Sequence, residues 1–210
     1  MSLILIMKYF SILILVTNLF AKSKYPSDSL ILSESTPFHK KISLLPIAAW
    51  QRISYNTSLF DCQFYPSCSN YCGQAINNYG IIIGGIIASD RIIRCNPFAY
   101  NYHLKLNRPF KFNDKRLIDP VKQQRISSKH SPLIAGLLSA IIPGLGRAYC
   151  NRTMDGMMGL CTFYLTSSSA YIAVKQDRNI LGPILSVASL YIYLGEIYGA
   201  WRTAKYYQKI

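Results

Sequence analysis

Asp61-Cys62-Gln63-Phe64-Tyr65-Pro66-Ser67-Cys68-Ser69-Asn70-Tyr71-Cys72 is the stretch that organises the chain. Pro66 forbids a helix through its middle, because proline lacks an amide proton and clashes with the preceding turn. Ser69 is suited to cap the helix that follows, its hydroxyl accepting from an orphaned backbone N–H. That helix is predicted to run through Gln74 and Ala75 to about Tyr79 and to stop at Gly80, which takes the left-handed C-terminal conformation without a Cβ penalty. A second helix is predicted over Ile81 to Arg94. At roughly 100° per residue it sets Asp90, Arg91 and Arg94 on one side and Ile82, Ile86, Ser89 and Ile93 on another, with Ala88 and Ile92 extending the apolar face. This is the pattern of a basic amphipathic helix with a solvated or headgroup-facing charged edge. Pro97 ends it.

Upstream, Leu45 to Ile53 is apolar except for Gln51-Arg52 and reads as an interfacial helix, with Trp50 at headgroup depth and Arg52 beside it. Residues 22–44 mix Ser, Pro, Lys and isolated apolar residues without a period, and read as a linker. Before them, Lys8, the apolar run Tyr9 to Val16 and a small residue, Ala21, make residues 1–21 a signal peptide or signal anchor. Residues 45–121 form the cysteine-bearing domain. From Asn96 to His130 aromatic and basic residues interleave (Tyr100, Tyr102, Lys105, Phe110, Lys111, Phe112), a pattern that fits headgroups at least as well as bases, so no nucleic acid is expected. A basic linker at 122–130 follows.

Residues 131–210 read as a membrane domain. Leu133 to Ile142 is almost wholly apolar, but ten residues of helix rise only about 15 Å, half a bilayer core. Pro143-Gly144-Leu145-Gly146 breaks it. Gly156 to Val174 and Ile180 to Trp201 are near the roughly 20 residues a spanning helix needs. Glu196 is the only acid in the last span and is expected to snorkel toward its end, beside Arg202 and Lys205. Counting Arg147, Arg152, Arg202, Lys205 and Lys209 as loop charges, against a nearly neutral turn from Lys175 to Asn179, the positive-inside rule puts Arg147, Arg152 and the C-terminus in the cytoplasm. The cysteine domain shares that face if Leu133 to Leu145 re-enters, and takes the opposite face if it crosses.

The 210 residues carry 23 Lys/Arg against 9 Asp/Glu, a net charge of +14. Residues 22–130 hold 15 of the bases and 6 of the acids, which favours an anionic lipid surface as partner. No Gly-rich phosphate loop, Ser/His/Asp pattern or paired carboxylates occur, so the chain is not read as an enzyme. The cysteines are Cys62, Cys68, Cys72, Cys95, Cys150 and Cys161. Their spacing lacks the second close pair of a zinc site, Cys95 and His103 supplying it only loosely, and no metal or cofactor is expected. In an oxidising compartment Cys62 or Cys68 can bridge to Cys95; in a reducing one these are small apolar groups.

These residues together resemble the YidD family of membrane protein insertion efficiency factors. The resemblance rests on Cys62-x-Phe64-Tyr65-Pro66-Ser67-Cys68-Ser69-x-Tyr71, then Ala75, Gly80, Gly84, Arg91-x-x-Arg94-Cys95-x-Pro97 and Asp119-Pro120-Val121, with Trp50-Gln51-Arg52 upstream, over about residues 47–121. It implies an all-α protein at the bacterial inner membrane that helps YidC-type insertases, or contacts nascent membrane proteins, without catalysis. The chain departs from the family pattern in placing 23 residues between Cys95 and Asp119, in its signal-like start and in its membrane tail. The competing reading is an exported, disulfide-stapled envelope protein of structural role.

Overall fold

The computed structural model describes residues 25–57, 61–122 and 130–206; the signal-like segment lies outside them, as does most of the basic linker. The chain forms two compact units, residues 1–60 and 61–210. In the first, the expected linker is instead largely helical: α1, Pro26–Leu32, and the opening turns of α2, Phe38–Ser54. A seven-residue helix is not stable alone, and α1 is held by partners distant in sequence. Gln51 Oε1 accepts from the Ser27 amide at 3.0 Å, and Arg52 pairs with Asp28 at 3.0 Å. A local composition window contains neither partner. Trp50 is exposed, whereas Arg52 is engaged by Asp28 and does not face a surface freely.

Among the described residues the regular structure of the second unit is helical apart from a two-residue parallel strand pair, β1 (Phe64–Tyr65) with β2 (Leu117–Ile118), in register Phe64 to Leu117, and an isolated bridge from Phe110 to Leu117. Helix α3, Cys68–Arg94, starts at Ser67 rather than Ser69, the Ser67 hydroxyl accepting from the Asn70 amide. It breaks at Gly80, whose φ of 80° and ψ of 175° lie beyond the left-handed helical well, in a region essentially reserved for glycine. The chain reverses there. Gly84 lies so close to the first arm that an added Cβ would stand 2.6 Å from the Ile76 backbone, so α3 is a tight helical hairpin. Cys68 and Cys95 therefore end at the same place.

The remaining helices are α4 (Ala99–Lys105), α5 (Pro132–Ile141), α6 (Leu145–Tyr149), α7 (Thr153–Lys175) and α8 (Leu181–Tyr206). With mean hydropathies of 1.2 and 1.3, α7 and α8 are long and apolar enough to cross a membrane, and only 17% of each apolar window is buried. Their outer faces expose Leu165, Tyr171, Ile184, Val187 and Leu190. Water would not favour such a coat, and acyl chains would.

Two wedges lie against α8. The second arm of α3 runs alongside it, Gly85 against Tyr191 and Ser89 against Gly195. Helix α5 runs antiparallel, from Gly136 beside Ile197 and Trp201 to Ala140, whose carbonyl accepts from Tyr193 Oη at 2.7 Å. Gly144 then turns the chain with φ of 92°, and α6 returns to the level of Glu196 and Gly199. The α5–α6 segment thus travels to about the midpoint of α8 and comes back.

Candidate functional site

Between these wedges and α8 lies a lattice of buried charge. Arg91 donates to the Asp119 carboxylate, to the Asp119 carbonyl at 2.8 Å and to the Pro66 carbonyl at 3.0 Å. Its guanidinium also stacks over Phe64, 3.9 Å from the ring centroid. Arg94 donates to Asp119 at 2.6 Å and to Asp90 at 3.0 Å. Asp90 accepts from Arg147 at 2.8 Å and from Arg202 at 3.4 Å, and Arg147 also donates to both oxygens of Glu196 at 2.8 and 3.0 Å. Arg202 donates to the hydroxyl of buried Tyr71.

All seven charged groups are essentially without solvent contact. Burial alone would push the Asp119 carboxyl up, but the guanidinium groups of Arg94 and Arg91 hold it far below the carboxylate range. Asp90 is likewise raised by burial and lowered further by Arg94 and Arg147. Such a lattice survives burial because every carboxylate is paired and hydrogen-bonded. Glycines make room for it: a methyl group on Gly199 would strike Arg147 and Asp90, and one on Gly159 would strike Glu196.

This overturns the amphipathic reading of the Ile81 to Arg94 arm. Arg91 and Arg94, expected at a membrane surface, point inward, and Ile81, Ile82, Ile83 and Ile92 point outward. The arm buries its charges together with Ile87, Ala88 and Ile93 and leaves those four isoleucines outside, as suits an element whose charges have partners. Glu196 does not snorkel, because Arg147 holds both its oxygens. Nor are Arg147 and Arg202 loop charges: each is buried in the lattice.

The motif residues assemble around it. Phe64 packs with Ala99 and Leu117, Ala75 and Tyr71 with Ile87, while exposed Pro97 and Pro120 follow the end of α3 and Asp119. The 23-residue separation is absorbed by α4 and β2, whose pairing with β1 delivers Asp119 to Arg91. Asp90, Arg147, Glu196 and Arg202 lie too far apart in sequence to read as one site; the available signal is Gly146 beside Arg147 and Gly195 beside Glu196 in apolar surroundings.

At the mouth of the α3 hairpin the sulfurs of Cys62, Cys68 and Cys95 lie within 4.8 Å of one another. Cys62 Sγ is 3.3 Å from Cys68 Sγ and accepts from the Cys68 amide. These contacts from Cys68 and Cys95 outweigh burial and make Cys62 the most easily ionised of the three, while Cys68 and Cys95 are shifted up. His103 is elsewhere, its Nε2 2.8 Å from the Pro109 carbonyl. Beside the lattice an apolar groove of about 460 Å³ opens between α3, α5 and α8, lined by Ile83, Ile87, Leu133, Leu137, Leu194 and Trp201 among others.

Comparison with known proteins places this arrangement. The model of the YidD family, described as "Putative membrane protein insertion efficiency factor", matches residues 39–103. A protein of that description from Oleidesulfovibrio alaskensis is 47% identical over 62 residues, which is 29% of this chain and 70% of the relative. The chain belongs to this family. A YidD relative from Thermoanaerobacter pseudethanolicus is 42% identical over 59 residues, 28% of this chain and 86% of its own, and one from Aquifex aeolicus 39% over 59 residues, 28% and 87%. No solved structure matches. The YidD family is one of insertion factors and not of enzymes. The match takes in Gly80, Gly84, Arg91 and Arg94, and α5 to α8 lie beyond it.

Proposed function

We propose that this YidD protein assists the insertion of membrane proteins by non-catalytic contact, its apolar groove receiving an apolar segment of a nascent chain beside a YidC-type insertase at the inner membrane. The observation that carries this reading is the open groove between α3, α5 and α8, apolar along its walls. Such a surface offers a nascent segment a partly desolvated resting place at little cost in ordering, because α3 and α5 are already packed against α8. The exposed apolar coats of α7 and α8 support membrane spanning by these two helices, with residues 131–206 as the anchor.

Headgroup contact moves to a different set of residues. With Arg91 and Arg94 inside, anionic lipid is met by Lys105, Phe112 and Lys115, where exposed Phe112 is flanked by Lys115, while Lys111 and Arg116 pair with Asp114. Trp50 remains a surface candidate on the first unit. The envelope-structural alternative is not favoured by relatives described as insertion factors.

Photo-crosslinking tests the groove. A crosslinking residue at Leu137 should capture an apolar segment of a model membrane protein stalled during synthesis, whereas one at exposed Ile184 on the outer face of α8 should capture lipid. Equal capture of the nascent chain at both positions would refute the proposal.

A further inference from the structure

We infer that Cys62, Cys68 and Cys95 form a binding site for a thiophilic divalent cation, zinc being the ion that fits. Each thiol reaches the point by a different route: Cys62 from the strand entry, Cys68 from the first turn of α3, and Cys95 from the C-cap of the same helix after its reversal at Gly80. A tetrahedral zinc with sulfur ligands at about 2.3 Å sets neighbouring sulfurs ~3.8 Å apart. The three sulfurs converge within 4.8 Å, with those of Cys62 and Cys68 3.3 Å apart, so small side-chain rotations complete the set.

A disulfide would need only two of these groups and would leave the third without purpose. Three converging thiols answer the coordination demand of a metal instead. The surroundings suit thiolates. The Cys68 amide donates to Cys62 Sγ at 3.3 Å from the positive end of α3, Gln63 Nε2 lies 3.9 Å from Cys95 Sγ, and Arg91 sits over the adjoining Phe64 ring. The three cysteines are half-buried, leaving an open side where a fourth ligand, water or a partner's side chain, completes the tetrahedron. Binding displaces the thiol protons and changes no oxidation state, so no oxidant is required. Cys72, whose thiol burial pushes up to about 11, and Cys150 stand apart from the cluster. The site is independent of the groove.

The full chain, purified in detergent with its metal stripped, is titrated with cobalt as a spectroscopic probe and then with zinc. One cobalt per chain should bind with thiolate-to-metal charge-transfer absorption that zinc abolishes. Cys62→Ser, Cys68→Ser and Cys95→Ser should each weaken binding by on the order of 100-fold or more, while Cys72→Ser and Cys150→Ser retain it. Should the serine variants unfold, alkylation of the unaltered protein decides: zinc should shield these three cysteines, and stripping the metal should restore their reactivity. Absence of charge-transfer absorption, unshielded cysteines, or a Cys62–Cys68 disulfide in protein isolated without oxidant would overturn the site.

Discussion

Asp119 shows what a single side chain does in this lattice. It accepts from both Arg91 and Arg94, so Asp119→Ala leaves buried Arg91 to backbone carbonyls and buried Arg94 to Asp90, and should destabilise the protein by about 3–5 kcal/mol in a denaturant melt of the detergent-solubilised chain. A change under about 1 kcal/mol would mean that the lattice relaxes around the loss. Because its folded pKa is depressed below the ordinary 3.8, the unfolded chain takes up the proton first. The stability it contributes is complete above about pH 5 and is lost as the pH falls through the carboxylate range toward the folded value. His103 acts at milder pH. Burial, with Arg108 and Arg152, lowers its pKa from 6.5 against the pull of the Pro109 carbonyl. Protons bind the unfolded imidazole first, so stability should decline as the pH drops below about 6.5 and level off once the folded value is passed. In His103→Gln the amide still donates to Pro109 and that slope should disappear; a slope unchanged from the parent would assign the effect to another group.

At the scale of the element, two glycines make the α3 hairpin and do so differently. An added methyl on Gly80 meets nothing within 4 Å, so Gly80→Ala reports backbone strain alone, about 1–3 kcal/mol. Gly84→Ala drives a Cβ into the rigid backbone of Ile76 and should cost about 1–3 kcal/mol or more by forcing the arms apart. Thermal melts give the two costs; a Gly84→Ala variant as stable as the parent would mean that the arms are not in contact. The existence of both arms, their break at Gly80 and their end before Pro97 are legible from glycine, proline and the 3.6-residue period. Which face turns inward is not, because periodicity separates Arg91 and Arg94 from the isoleucines without saying what solvent surrounds the helix. The same limit hid the thiol cluster. Cys62, Cys68 and Cys95 look mismatched along the chain and converge only once the hairpin closes. Helix α1 was illegible for another reason, since its stabilising groups, Gln51 and Arg52, lie about 24 residues away.

For the whole molecule the deciding element is α5–α6. It leaves the level of Trp201, turns at Gly144 beyond Tyr193 and returns with Arg147 to Glu196, so it does not traverse the length of α8. The Asp119 end of the cysteine domain, the start of α7 and the end of α8 consequently share one side: Asn96 donates to Asp155 at 2.7 Å near the first turn of α7, and Arg108 donates to the Tyr206 carbonyl at 2.7 Å. The turn between α7 and α8, around Asp177 and Asn179, lies at the opposite end of both helices. If α7 and α8 span, residues 96–122 occupy the same face as the end of α8, and the α3 hairpin enters the bilayer beside α8, with Gly85 at the level of Tyr191. With Arg147 and Arg202 buried, the charges on that face include Lys105, Lys111, Lys115 and Arg116 against Asp114, and the positive-inside rule predicts a cytoplasmic face there. A membrane-impermeant thiol reagent applied to spheroplasts tests this in a chain freed of its native cysteines. Asn179→Cys should be labelled from outside, and Lys115→Cys only after the membrane is opened. Labelling of Lys115→Cys in intact spheroplasts would require α5–α6 to cross and the cysteine domain to be exported.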